Sequence, residues 1–227
     1  MTVVHNTKVL KRPRGRPQTR PDEETRKLIL KAARKEFHAS GYAGASMGRV
    51  AERAGVSTKT LYRLIPTKAE LFRNVISDKI SGFMLEMDDH SLDALPIEEA
   101  PEHILTAYGK LTLNEDTTFT LRLVYAECDR FPELAADFVE IALRRTTDMM
   151  EAWLKRQRDR GRIEVEDTLT AVGMLRGMMM MEPQRAIMLG LSGPPDDAKI
   201  AARARFCARL FLDGCKSRRD QQRAARS

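Results

Sequence analysis

The sequence predicts an all-α chain, in which an N-terminal three-helix unit containing a helix-turn-helix precedes a larger C-terminal helical body. Apolar residues recur every three to four positions over long stretches. Pro and Gly fall at intervals between those stretches, and continuous runs of β-branched and aromatic residues are missing, so no strand is expected.

Residues 1–20 are basic, polar and Pro-rich, a composition that stays unfolded when free. A first helix starts near Asp22, where Asp22, Glu23 and Glu24 favour its positive end. Ile29, Ala33 and Phe37, with Ala32 beside them, form its apolar stripe, and Gly41 is expected to end it. A second, short helix follows Ser46, a residue suited to cap it, with Val50, Ala51 and Ala54 inward and Gly55 as its stop. Val56 is the apolar residue of the turn. Ser57 is placed to cap a third short helix, Thr58 to about Leu64, closed by Pro66. Thr67-Lys-Ala-Glu70 has the spacing of a capping box, and Leu71, Phe72, Val75 and Ile76 carry a longer fourth helix. An acidic loop is expected from Asp88 to Ala100. Helices are then expected from Pro101 to about Leu113, Thr118 to Arg130, Glu133 to Arg160, Asp167 to Leu189 and Asp196 to Gly214. Lys216 to Ser227 is a basic tail without apolar periodicity. The expected division is an arm (1–20), a helix-turn-helix unit (21–67), a connecting helix (68–87), a helical body (88–215) and the tail (216–227).

The formal charge of +7 conceals a segregation: residues 1–75 carry a net +11, residues 76–143 a net −11 and residues 144–227 a net +7. A basic N-terminal unit is drawn to a phosphate backbone, and an acidic middle is repelled by it. With 42% hydrophobic and 31% charged residues, the chain reads as a soluble globular protein. No apolar run approaches the roughly 20 residues of a membrane span. The first residues lack a signal peptide's apolar core, so a cytoplasmic chain is expected, nucleoid-associated when bound to DNA. Cys128, Cys207 and Cys215 are too scattered for a disulfide framework, and no CxxC, HExxH or Cys/His cluster is present, so neither metal nor cofactor is expected. GxSxG, GxxxxGK[ST] and GxGxxG are also missing, which argues against an enzyme and leaves no catalytic residue to name.

The most informative stretch is RVAERAGVSTKTLYRLIPTKAEL, Arg49 to Leu71. Two short helices joined by a tight turn at Gly55-Val56 have helix-turn-helix form, in which the second helix enters the major groove. Its polar side carries Thr58, Lys59, Thr60, Tyr62 and Arg63. Thr can bond a base edge or set its methyl against thymine, Lys and Arg contact guanine or phosphate, and Tyr offers a hydroxyl on a stiff ring. Lys68, at the start of the next helix, is placed to reach a phosphate.

Residues 22–76 resemble the N-terminal domain of the TetR/AcrR family of bacterial transcriptional regulators. The resemblance rests on Arg26, Ile29, Leu30, Ala32, Ala33, Phe37, Gly41 and Tyr42, then on Ala51, Ala54, Gly55, Val56, Ser57, Leu61, Tyr62, Lys68 and Leu71, all in register. Val50 and Ile65 replace the usual Ile and Phe. The resemblance implies that Thr58, Lys59, Thr60 and Tyr62 face bases, that Arg63 lies near the backbone with Ser57, and that Ser46 and Lys68 hold phosphates. Val56 and Leu61 would be core. Leu64 and Gly48 stand where relatives often carry polar residues, so contacts made there are not expected here.

Upstream, Arg12-Pro-Arg14-Gly15-Arg16-Pro resembles the core of an AT-hook: Gly15 lets the backbone sit deep in a narrow minor groove, and Arg12, Arg14 and Arg16 enter its negative potential. A generic electrostatic tether is the alternative.

In the resembled family the C-terminal body binds a small molecule and dimerises, and LRLVYAECDRFPELAADF, Leu121 to Phe138, is similar to the C-terminal domain of the AefR-like subgroup. The last two helices are apolar enough to pair with the same helices of a second copy, through Leu169, Val172, Leu175, Met179, Phe206, Leu210 and Phe211. The Met cluster has two open assignments, dimer core or pocket lining. His103, Tyr108, Phe119, Met149, Met150 and Trp153, with Met178, sit on helices that can surround a cavity for a small, apolar effector. The expectation is a homodimeric, effector-responsive repressor on a pseudo-palindromic operator. The alternative is an architectural DNA-binding protein without an effector.

Overall fold

The computed structural model describes residues 20–215, and all regular structure among them is helical. The arm residues Arg12, Arg14, Gly15 and Arg16 and the basic tail lie outside the described residues.

Four helices appear in the expected order: α1 (Asp22–Gly44), α2 (Met47–Ala54), α3 (Thr58–Leu64) and α4 (Lys68–Glu86). α1 buries Ile29, Ala32, Ala33 and Phe37, as its spacing predicts. It does not stop at Gly41. The backbone turns a corner there, at φ 66° and ψ −179°, and one further turn runs to Gly44. That conformation is essentially reserved for glycine, so the residue type sets the corner. Ser57 accepts from the Thr60 N–H at 3.1 Å and Thr67 from the Glu70 N–H at 3.1 Å, so both expected caps form. Ser46 does not cap α2. The Glu36 carboxylate of α1 accepts from the Ser46 N–H itself at 3.3 Å, which ties α1 to the start of α2. A carboxylate can also pair with the arginines of α2, which a hydroxyl cannot.

Beyond α4, a short α5 (Asp89–Ala94) occupies part of the expected acidic loop, with Asp88 accepting from the N–H groups of His90 and Ser91. α6 (Ala100–Thr112) and α7 (Glu115–Glu127) follow. α7 starts ahead of the expected Thr118 because Asn114 caps it at the Thr117 N–H, 2.9 Å away. The long helix expected over 133–160 is three pieces: α8 (Pro132–Phe138), a π-helical segment (Val139–Arg144) and α9 (Arg145–Asp159). The hydroxyls of Thr146 and Thr147 donate to carbonyls of that segment, Ala142 and Leu143, each at 2.7 Å. The chain closes with α10 (Thr168–Met188) and α11 (Asp197–Cys215).

Pro183 interrupts α10 from within, and its missing N–H leaves the Met179 carbonyl without a helical donor. Arg203 of α11 supplies one, its Nε lying 2.9 Å from the Met179 oxygen and 3.0 Å from that of Met178. α6 lies close against α10 and α11 because Gly109 has no side chain: a Cβ there would collide with Met179 Cε and stand 2.9 Å from Ile200 Cγ2.

The buried residues fall into two clusters. One joins α1–α4 around Ile29, Phe37, Leu61 and Phe72, and it extends into Leu123 and Val124 of α7, Leu134 of α8 and Ile141 of the π segment. The other holds α6, α9, α10 and α11 together around Tyr108, Trp153, Met179 and Ala204. The first three helices therefore share a core with α7 and α8, and a displacement of α7 is felt at α1.

Four residues expected at a dimer interface face inward. Val172, Leu175, Met179 and Phe211 are buried in the chain's own core and have no area left for a second copy. They line the inner side of α10 and α11, where α6 and α9 pack. Leu169, Phe206 and Leu210 are about half exposed, as are Met174 and Met181 on the same outer face.

Candidate nucleic-acid interface and apolar cavity

α3 presents two opposite faces. Leu61 is fully buried and Leu64 nearly so, which fixes the helix against α1 and α2 and leaves no contact to be made from Leu64. On the other side Thr58, Lys59 and Tyr62 are exposed, Tyr62 to 50%. Thr60 is half-buried, and its Oγ1 lies 2.9 Å from Ser57 Oγ. Arg63 grips both carboxylate oxygens of Asp22 at 2.7 and 2.9 Å, tying the end of α3 to the start of α1.

Behind this face lies a charged cluster that sequence reasoning did not find. Glu36 is fully buried and takes Arg49 Nε at 2.6 Å and Arg53 Nε at 3.3 Å. Burial pushes its carboxyl up, but the Arg49 and Ser46 bonds and the charges of Arg49 and Arg53 outweigh that, and its pKa lies below the usual Glu value. A folded-state pKa below the unfolded one means the cluster stabilises α1 against α2 at neutral pH and loses that contribution as acid protonates Glu36.

The corner at residues 41–45 is held from both sides. Lys68 Nζ donates to the carbonyls of Tyr42 at 2.8 Å and Ala43 at 3.1 Å, and lies 4.8 Å from the centre of the Tyr42 ring. Lys68 is therefore half-buried and committed within the chain, rather than standing free for a phosphate. From the opposite side, the Glu127 carboxylate at the end of α7 accepts from the N–H groups of Tyr42 at 2.7 Å and Ala43 at 3.0 Å. A Cβ on Gly41 would stand 2.9 Å from Glu127 Oε1, so Gly41 also makes room for this clasp.

A cavity of about 120 Å³ that opens to solvent lies between α4, α6, α7, the π segment and α10. α4 contributes Val75, Ile76, Lys79 and Ile80, and α7 contributes Thr117, Thr120, Leu121 and Tyr125. Phe138, Ala142, Leu143 and Thr146 come from α8, the π segment and the start of α9. Tyr108, Leu111 and Thr112 of α6 and Arg176, Met180 and Gln184 of α10 complete it. Lys79 is paired with Asp116 at 3.3 Å; burial lowers its pKa against that partner's pull.

Of the residues expected around a pocket, only Tyr108 lines this cavity. Met149, Met150 and Trp153 belong to the core against α6 and α10, and Met178 packs beside that core. His103 is exposed on α6. Phe119 turns the other way, toward α1, where it stacks on His38 with ring centres 3.5 Å apart. All of these but His103 face inward, but placement on a helix does not say which inward direction is filled. Arg176, the one charge in the apolar run 171–181, was the available signal for a polar position on the cavity wall.

Among the described residues, no cluster of His, Cys, Asp and Glu can hold a metal ion, and no helix is long and apolar enough to cross a membrane. A helix-turn-helix with an exposed polar second helix, followed by a helical body around a cavity, defines the class of helix-turn-helix transcriptional regulators. The comparisons with known proteins carry this further. The profile for bacterial regulatory proteins of the TetR family matches residues 29–75, and that for the C-terminal domain of AefR-like transcriptional repressors matches residues 102–214. The chain belongs to the TetR family, whose members are DNA-binding regulators rather than enzymes. It is 32% identical over 84 residues to the HTH-type transcriptional regulator YhgD of Bacillus subtilis (strain 168), a match covering 37% of this chain and 44% of that protein. A TetR-family regulator from Mesorhizobium loti MAFF303099 shares the fold at a TM-score of 0.74, with 24% identity, over 86% of this chain and 98% of that one. The flavonoid-responsive regulator FrrA aligns at a TM-score of 0.67, with 26% identity, over 86% and 99% of the two chains.

Proposed function

We propose that the chain is a cytoplasmic, homodimeric, effector-responsive repressor acting on a pseudo-palindromic operator. The observation that carries this reading is the two-sidedness of α3: Leu61 is anchored in the core while Thr58, Lys59 and Tyr62 face outward together. Thr58, Lys59, Thr60 and Tyr62 read bases in the major groove, and Ser46, Ser57 and Arg63 lie along the phosphates. Lys68 acts behind them by fixing the corner that carries α2. The arm with Arg12, Arg14, Gly15 and Arg16 follows the neighbouring minor groove. Residues 21–67 serve as the reading head, 68–87 as the connection and 88–215 as the sensing and pairing body. The half-exposed Leu169, Met174, Met181, Phe206 and Leu210 support pairing of α10 and α11 with the same helices of a second copy.

The cavity supports a small-molecule effector, as does similarity to a regulator that responds to flavonoids. α4 runs from the helix-turn-helix to the cavity wall, so a ligand that displaces Val75, Ile76 or Ile80 moves the reading head. Such a ligand acts only through different affinities for two conformers, and DNA must weaken its binding in return.

A mobility-shift comparison of operator and random duplex tests the base-reading assignment. Tyr62→Phe and Thr60→Ala are each expected to cost about tenfold on the operator and much less on random DNA. Equal losses on both duplexes contradict the assignment.

A further inference from the structure

We propose that the cavity takes an amphipathic organic acid, with its carboxylate on Arg176 and its apolar body against α4, α7 and the π segment. This deepens the effector reading above and rests on it.

Arg176 is the cation without a counter-charge in this site. Its Nε donates to the Tyr108 hydroxyl at 2.9 Å and its Nη1 to the Thr147 hydroxyl, and no carboxylate among the described residues lies within ion-pair distance. Neither partner can supply the missing charge. Burial raises the Tyr108 pKa while Arg176 pulls it down, and the net direction is upward, so the phenol is neutral at physiological pH. Its own proton points to Met180 Sδ, 3.1 Å away. Thr147 Oγ1 donates in turn to the Leu143 carbonyl at 2.7 Å. Both hydroxyls therefore accept from the guanidinium and pass their protons elsewhere, which fixes its orientation without neutralising it. A partly buried guanidinium held this way is costly until an anion arrives.

The other cation on the wall, Lys79, is already paired with Asp116. An incoming anion therefore meets one uncompensated charge rather than two, which favours a single carboxylate over a multiply charged phosphate ester. The rest of the wall (Val75, Ile76, Ile80, Leu121, Phe138) is aliphatic and aromatic and suits an uncharged body. Arg is suited to this task because its planar fork can hold a carboxylate through two parallel bonds.

The test uses the full-length protein and two probe series, decanoate with decan-1-ol and decylamine, and 2-naphthoate with 2-naphthalenemethanol, measured by titration calorimetry. In at least one series the acid is expected to bind about tenfold or more tighter than its alcohol, as a charge-assisted pair is worth. Arg176→Met is expected to bind the alcohol as before and to reduce the acid's advantage to within about twofold, whereas Arg176→Lys keeps part of it. A melting curve for each variant establishes that it is folded. Alcohols binding as tightly as acids, or an acid preference that survives Arg176→Met, overturns the proposal and leaves the effector site standing. Absence of binding by every probe overturns both.

Discussion

Glu127→Ala is expected to lower stability by about 1.5–3 kcal/mol and to weaken operator binding at the same time, although residue 127 lies at the end of α7, outside the helix-turn-helix. The cause is the clasp on the corner of α1. The carboxylate holds the N–H groups of Tyr42 and Ala43, and Tyr42 is itself buried. Charge-assisted bonds to backbone donors are strong, and the Tyr42 N–H left without an acceptor adds a desolvation penalty. The opposing clamp, Lys68 on the Tyr42 and Ala43 carbonyls, then holds a corner free to shift, and that corner leads directly into α2. Glu127→Gln keeps one acceptor oxygen and is expected to lose about half as much. Urea unfolding and mobility shift measure the two effects. A loss below about 0.5 kcal/mol for the alanine variant would mean the clasp is incidental.

The second large effect is on the reading helix itself. Leu61→Ala is expected to cost about 2–5 kcal/mol, the range for truncating a fully buried leucine, and to abolish operator binding. α3 is a seven-residue helix, far too short to persist alone, so its orientation depends on that one anchor together with Leu64. Tyr62→Ala, one position on, is expected to leave stability within about 0.5 kcal/mol while reducing operator affinity. Two neighbouring substitutions with opposite signatures, one in unfolding and one in binding, separate anchor from reader. Similar unfolding midpoints for both would show that Leu61 does not carry the helix.

What could be read from the sequence follows from the range of the interactions. The caps at Ser57 and Thr67, the turn at Gly55 and the inward positions of α1 to α4 are set within a few residues, and they fold as spacing and residue type dictate. Features set by distant partners were not legible. An acidic residue at the end of α7 is locally unfavourable against the helix dipole, and only the corner 85 residues earlier explains Glu127. Ser46 has the right chemistry for a cap, but its side chain caps nothing, and its N–H is instead taken by a buried carboxylate from another helix, which no local pattern announces. The π segment within 133–160 was not legible because Val139–Arg144 holds neither Gly nor Pro to mark a break. The inner faces of α10 and α11 carry the same apolar signal whether a second copy or α6 covers them. Val172, Leu175, Met179 and Phe211 could therefore be assigned only from coordinates.

If the outward side of α3 reads bases, it chooses a DNA sequence. Selection of bound duplexes from a randomised pool, followed by sequencing, tests it most directly. An enriched pseudo-palindrome is expected, with half-site centres about 10–10.5 base pairs apart or a multiple of that, and the enrichment is expected to be lost in Tyr62→Ala. A pool that stays random, or the same motif recovered by the Tyr62→Ala protein, contradicts it.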